Sequence, residues 1–135
     1  MKRPDALGFS LLELLITLAI VAILASITVP SYNGLVAKTR RGDAISAITL
    51  VQLAQERWRG SHAQYADDVQ DLGWPSPESP EGYYRLRIVR ADGTDFLVVA
   101  QPLARQRADV CGSFASSASG PAYIYGYAGP SCWNR

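Results

Sequence analysis

One carboxylate, Glu13, stands inside an apolar run from Phe9 to Val29 that is otherwise broken only by Ser10, Thr17, Ser26 and Thr28. The run holds 21 residues, and a bilayer core of about 30 Å takes roughly 20 apolar residues as a helix, so the segment can span. An ionisable group there costs on the order of 3 kcal/mol at the helix centre, less near an end, and persists where it finds a partner. Lys2 and Arg3 precede the run and mark its cytoplasmic end, which places Glu13 one turn inside. The chemistry open to Glu13 is pairing with a positive charge in low dielectric. The run carries no Lys or Arg, so the partner must come from elsewhere within the membrane.

A second set of groups could bind phosphate. Arg85, Arg87 and Arg90 lie on or near one expected strand, and Arg105 and Arg107 precede the first cysteine. Sequence-independent DNA binding needs several such cations on one surface, and Tyr123, Tyr125, Tyr127 and Trp133 could stack on exposed bases. Total charge argues against a DNA role, since without Lys2, Arg3 and Asp5 the side chains balance at 11 basic and 11 acidic. Alternation also gives the three tyrosines an ordinary place on a sheet face, and that structural role is the expectation. His62, with Asp67 and Asp68 nearby, lacks a second imidazole or cysteine at ligand spacing, so an exposed loop histidine is expected and no metal. No nucleophile-base-orienter set or phosphate loop is evident, and neither catalysis nor a cofactor is expected.

The elements that must position these groups can be read from periodicity. Pro30-Ser31-Tyr32 should interrupt the first helix by a kink or a loosened turn. From Tyr32 to about Gly60 a helical stripe of Ala44, Ile48, Val51, Ala54 and Trp58 wants covering, while Arg40 and Arg41 are expected on a solvated face. Residues 61–80, with Pro75, Pro77 and Pro80, form an irregular connector. Tyr84, Leu86 and Ile88 alternate with Arg85 and Arg87, as in a strand with one buried face. Turn chemistry at residues 91–95 and an apolar return at 96–101 predict a hairpin, and a third strand is expected at Ala122 to Tyr127, after a small-residue loop from Ser113 to Gly120. The fold class is α+β, a long helix on three or four antiparallel strands.

Gly8-Phe9 with Glu13, behind a short basic leader, resembles the type IV prepilin signature. A secretory signal would be cut after a shorter apolar region, and a lipoprotein signal would need a cysteine near its end, whereas the first here is Cys111. The resemblance implies cleavage between Gly8 and Phe9 by a membrane prepilin peptidase and N-methylation of Phe9. It further implies that Glu13 meets the amino terminus of a neighbouring pilin and sets protomer register. The partners implied are other pilin subunits, the peptidase, the inner-membrane assembly platform and membrane lipid. Proline near position 30 is frequent in pilins, where the helix can unwind in the fibre, but Ala22 stands where many major pilins carry glycine.

Cys111 and Cys132 are even in number, and a domain facing an oxidising periplasm pairs them by default. The bridge would enclose 20 intervening residues and stabilise by about 3 kcal/mol. It resembles the disulfide loop that closes the pilin fold. Tyr83-Tyr84, Gln106, Asp109, Cys111-Gly112 and Cys132-Trp133 resemble the C-terminal pattern of PilE-like minor pilins. Residues 65–72 resemble the segment that follows the long helix in pilins and should pack on that helix. The resemblance divides the chain into a leader at 1–8, a membrane or fibre-core helix at 9–30 and a periplasmic globular part at 31–135. The function implied is that of a minor pilin in pilus assembly or at the fibre surface, held in the inner membrane before extraction into the fibre. A ComP-like DNA-binding pilin and a type II secretion pseudopilin are the alternatives.

Overall fold

The computed structural model describes residues 9–134. The chain forms two units, one ending at Leu35 and one beginning at Val36. In the first, helix α1 (Leu11–Arg59) starts just after Phe9 and presents apolar side chains with none of its most hydrophobic window buried, long and apolar enough to cross a membrane. The proline expected to disturb this helix does not end it: helical structure continues through Pro30, Ser31 and Tyr32. A proline deletes one N–H, and a helix already propagating on both sides bridges that loss.

In the second unit α1 buries Asp43, Ala44, Ala47, Ile48, Val51 and Gln55, residues three and four apart. Ala54 and Trp58, expected in this stripe, are only half-buried, and Ala47 and Gln55 occupy its centre instead. Gln55 is tolerated there because it bonds both backbone groups of one residue: Nε2 donates to Ala66 O at 2.8 Å, and Ala66 N donates to Oε1 at 2.9 Å.

Four antiparallel strands lie in sequence order, β1 (Tyr84–Ala91), β2 (Phe96–Pro102), β3 (Phe114–Ser117) and β4 (Gly120–Pro121). β1 buries Tyr84, Leu86 and Ile88 and exposes Arg85 and Arg87, as its alternation requires, until a bulge between Ile88 and Arg90. The hairpin turn is organised by Asp92, whose Oδ1 accepts from Thr94 N, Thr94 Oγ1 and Asp95 N. Those bonds, the Thr94 backbone N–H first among them, hold its carboxyl down at about 2.

The third strand differs from the expectation. β3 forms inside the stretch read as a small-residue loop, and residues 122–127 lie outside every strand. Tyr125 at φ 57° and Gly126 at φ 79° take left-handed backbone conformations that end extended pairing. In β3 Ala115 and Ser116 are buried, and Gln52 Nε2 of α1 donates to Ser116 Oγ at 3.0 Å and to Ser117 O at 2.9 Å. Burial and pairing with β2 outweigh intrinsic strand preference here.

Between sheet and helix sit Tyr84, Phe96, Phe114, Ile48 and Leu86. Phe114 meets Tyr84 edge-on at 5.9 Å and Trp133 at 5.4 Å. Tyr65 and Val69 bring the connector onto this core, Tyr65 edge-on to Phe96 at 4.9 Å. A 3-10 turn (Ala104–Ala108) follows β2, and a single helical turn α2 (Pro130–Trp133) ends the described chain. Cys111 and Cys132 are bonded, tying the segment after the 3-10 turn to α2. Replacing both cysteines by serine should lower stability by about 3 kcal/mol. Denaturant unfolding of wild type and variant under oxidising conditions measures this, and coincident transitions would show that the bridge contributes nothing.

Candidate functional site

Glu13 lies in the first turn of α1, surrounded by exposed Leu11, Leu12, Leu14 and Ile16. Thr17 Oγ1 donates to Glu13 O at 3.0 Å and Leu14 O at 2.9 Å, so the nearby hydroxyl is satisfied within the helix. The Glu13 carboxylate has no partner among the described residues. Phe9 is exposed, and Gly8, on the other side of the expected scissile bond, lies outside the described residues.

The five arginines singled out in the sequence occupy different settings. Arg85 faces Glu78 at 3.6 Å, and Arg90 is held by Asp95 at 2.7 Å. Arg87 is exposed on β1 without an ion-pair partner among the described residues. Arg85 and Arg87 line a groove of about 560 Å³ that also contains Asp67, Asp68, Gln70 and Gln101, so carboxylates share their surface. Arg105 and Arg107 stand exposed on the 3-10 turn, away from β1 in sequence and unpaired among the described residues.

The aromatic candidates also separate. Tyr123 is 47% and Tyr125 85% exposed, so neither covers a sheet face as expected; both project from the turn that replaces the third strand. Trp133 is not free to stack on a ligand, because it packs on Phe114 and its Nε1 donates to Ala128 O at 3.2 Å. Tyr127 is half-buried. The disulfide and a bond from Ala128 N to Ser113 O join the arms that carry Arg105 and Arg107 on one side and Tyr123 and Tyr125 on the other. His62 stacks on Trp58, centroids 3.7 Å apart and planes 5° from parallel, with Nδ1 3.0 Å from both Ser61 Oγ and Trp58 O.

Beneath the arginine-bearing turn is a polar network that sequence reasoning placed wrongly. Arg41, expected in water, donates from Nη2 to Asp109 Oδ1 at 2.6 Å and from Nε to Oδ2 at 2.8 Å. The Asp109 side chain is only 2% exposed. The bond to Asp109 raises the Arg41 pKa, so the guanidinium keeps its charge. Gln106 Nε2 lies within bonding distance of Ala37 O, Tyr84 Oη and Asp109 Oδ2, and burial pushes the Tyr84 phenol up to about 12. Arg40 is not merely solvated either; its guanidinium lies 4.6 Å over the Tyr83 ring. The one sequence signal for this network was the place of Gln106 and Asp109 in the C-terminal pattern.

Residues 30–115 match the family described as "Type IV minor pilin ComP, DNA uptake sequence receptor", and residues 3–29 match the prokaryotic N-terminal methylation motif. The type IV major pilin protein PilA of Myxococcus xanthus is 30% identical over 91 residues, 67% of this chain and 41% of that protein. A fimbrial protein of Pseudomonas aeruginosa is 31% identical over 94 residues, 65% and 61% of the two chains. The type II secretion system core protein G of Klebsiella michiganensis is 32% identical over 72 residues, 53% and 51%. The match thus spans between 41% and 61% of the length of these relatives. A solved type IV pilin from Shewanella oneidensis shares the fold, with a TM-score of 0.53, 23% identity, and 73% of this chain and 99% of that chain covered.

Proposed function

This chain belongs to the type IV minor pilin ComP family and is a type IV pilin subunit, and from that premise we propose that it serves as a minor subunit, built into the fibre through its apolar helix. The observation that carries this reading is the exposed apolar face of α1 with Glu13 unpartnered in its first turn. On this reading a prepilin peptidase cuts between Gly8 and Phe9, Phe9 is methylated, and residues 9–30 hold the subunit in the inner membrane until the assembly platform extracts it. Glu13 then pairs with the amino terminus of a neighbouring pilin and selects one stagger. The role is assembly and surface display, with no catalytic step.

Glu13→Ala should leave leader removal intact yet lower incorporation into sheared fibres by about tenfold, the effect of losing a 1.4 kcal/mol register term. Immunoblots of the fibre and membrane fractions give the ratio. Equal incorporation would end the register assignment.

A second reading, double-stranded DNA binding, is favoured by the exposed Arg105 and Arg107 and the projecting Tyr123 and Tyr125, joined across the disulfide. The family description of a DNA uptake sequence receptor gives the same direction. Phosphate neutralisation by two arginines predicts that Arg105→Ala with Arg107→Ala flattens the salt dependence of binding, reducing the log–log slope by about 2. Fluorescence anisotropy of a labelled duplex across a salt series reads the slope, and an unchanged slope would remove these arginines from a DNA surface. The pseudopilin alternative has less behind it, since likeness to core protein G extends over 53% of the chain.

A further inference from the structure

The 3-10 turn gathers cations that are far apart in sequence. Gln106 Nε2 donates to Ala37 O at 3.0 Å, and Leu103 N donates to the carbonyl of Tyr83, over whose ring Arg40 lies. With the Arg41–Asp109 pair, these bonds seat the turn on α1 just after Val36, where the second unit begins. Gln106 is buried, and its neighbours Arg105 and Arg107 are exposed on either side of it. Successive helix residues are about 100° apart, so Lys38 and Arg40, next to Ala37 and Arg41, leave α1 on opposite sides of the same contact.

Four cations therefore surround this seam. Asp109 is taken up by Arg41 and Asp43 is buried, while the exposed Glu81, whose N–H is held by Asp43, offsets one charge. Beside them Val110 follows Asp109 and is 94% exposed, the highest value among the described large apolar side chains. A phosphodiester backbone would satisfy the cations but offers Val110 nothing apolar to enter. The boundary between lipid headgroups and acyl chains offers both.

We infer that this surface docks on anionic phospholipid headgroups of the bilayer that holds the apolar run, with Arg105 and Arg107 donating to phosphate and Val110 entering the boundary. The inference rests on the reading that residues 9–30 are held in the membrane. Ala37 follows Val29 by eight residues, a tether of about 12 Å as helix and at most about 29 Å when extended. While the run stays in the bilayer, that tether keeps the patch at high effective concentration near the headgroups, so a modest attraction suffices to dock it.

The test places the full chain in phosphatidylcholine nanodiscs, with or without one quarter phosphatidylglycerol, and with a gadolinium chelate on a few headgroups in both. Relaxation enhancement at the amides of Arg105, Arg107 and Val110, followed by NMR, gives the docked-to-free ratio. That ratio should be at least about fivefold higher in the acidic discs. Arg105→Gln with Arg107→Gln, at exposed positions, should lower it there by about 25-fold, a factor of about five for each cation. Val110→Ser, which leaves the charge unchanged, should lower it by about threefold, for roughly half of a valine's burial. A chain that fails to enter either disc would overturn the membrane reading and the contact with it. A chain that enters both yet gives equal enhancement with and without phosphatidylglycerol, or equal docking by the arginine variant or by Val110→Ser, would overturn the contact alone. So would duplex DNA shifting these amides while acidic lipid does not.

Discussion

Asp109→Ala is expected to lower the stability of the unit beginning at Val36 by about 3 kcal/mol, at the low end of the range for breaking a buried pair because Arg41 retains some access to water. The carboxylate accepts from Arg41 twice, at 2.6 and 2.8 Å, and lies 3.2 Å from Gln106 Nε2. Its removal leaves a guanidinium that is 16% exposed with no counter-charge in place. For a unit of this size the loss amounts to a drop in melting temperature of about 12–24 °C. The double variant Arg41→Met with Asp109→Leu separates loss of pairing from loss of packing, because a buried ion pair exchanged whole for apolar side chains is often neutral or better. Thermal unfolding followed by circular dichroism distinguishes them. A single variant as stable as wild type, within about 0.5 kcal/mol, would show that the pair does not hold the 3-10 turn to the helix. Since that turn carries Arg105 and Arg107, any DNA affinity should fall along with its anchoring.

Asp43→Ala should cost about as much, also near 3 kcal/mol, for a different reason. This carboxylate is 7% exposed and accepts hydrogen bonds from Ser79 Oγ, Glu81 N at 3.1 Å and Tyr83 N at 3.2 Å. Ser79 Oγ in turn accepts from Tyr84 N, so one helix carboxylate holds the connector against the start of β1. Alanine leaves three donors without an acceptor, the Ser79 hydroxyl among them buried, and an unmet buried donor is penalised more than the bond itself contributes. Asparagine, with one acceptor oxygen, should recover about half of the loss. Urea unfolding gives the global value, and amide exchange at Leu86, whose N–H is held by Pro77 O, reports whether the connector detaches first. Unaltered exchange at Leu86 in Asp43→Ala would rule out that order.

Local period and solvent partition made part of this fold legible from the residues alone. An apolar run of 21 residues can only be a span or an apolar interface, and Glu13 within it is conspicuous because nothing nearby can neutralise it. The alternation of Tyr84, Leu86 and Ile88 against Arg85 and Arg87 determines a strand and its buried face, since side chains of a strand alternate with period two. Two cysteines in one small domain pointed to the bridge that the structure contains.

Tertiary structure decided the fate of polar and small residues, whose environments are set by chain segments far away in sequence. Arg41 and Asp109 are 68 residues apart, and Asp43 serves donors 36 to 40 residues on, so neither pairing leaves a local trace. Phe114 to Ser117 became a strand through its pairing with β2 and the burial of Phe114 to Ser116, whereas the tyrosines that read as a strand were turned out by left-handed backbone at Tyr125 and Gly126. Which arginines keep a free charge was decided in the same way, by where Glu78 and Asp95 come to lie. Periodicity tells a chain which side of an element must leave water; only the folded arrangement determines which charges meet once it has done so.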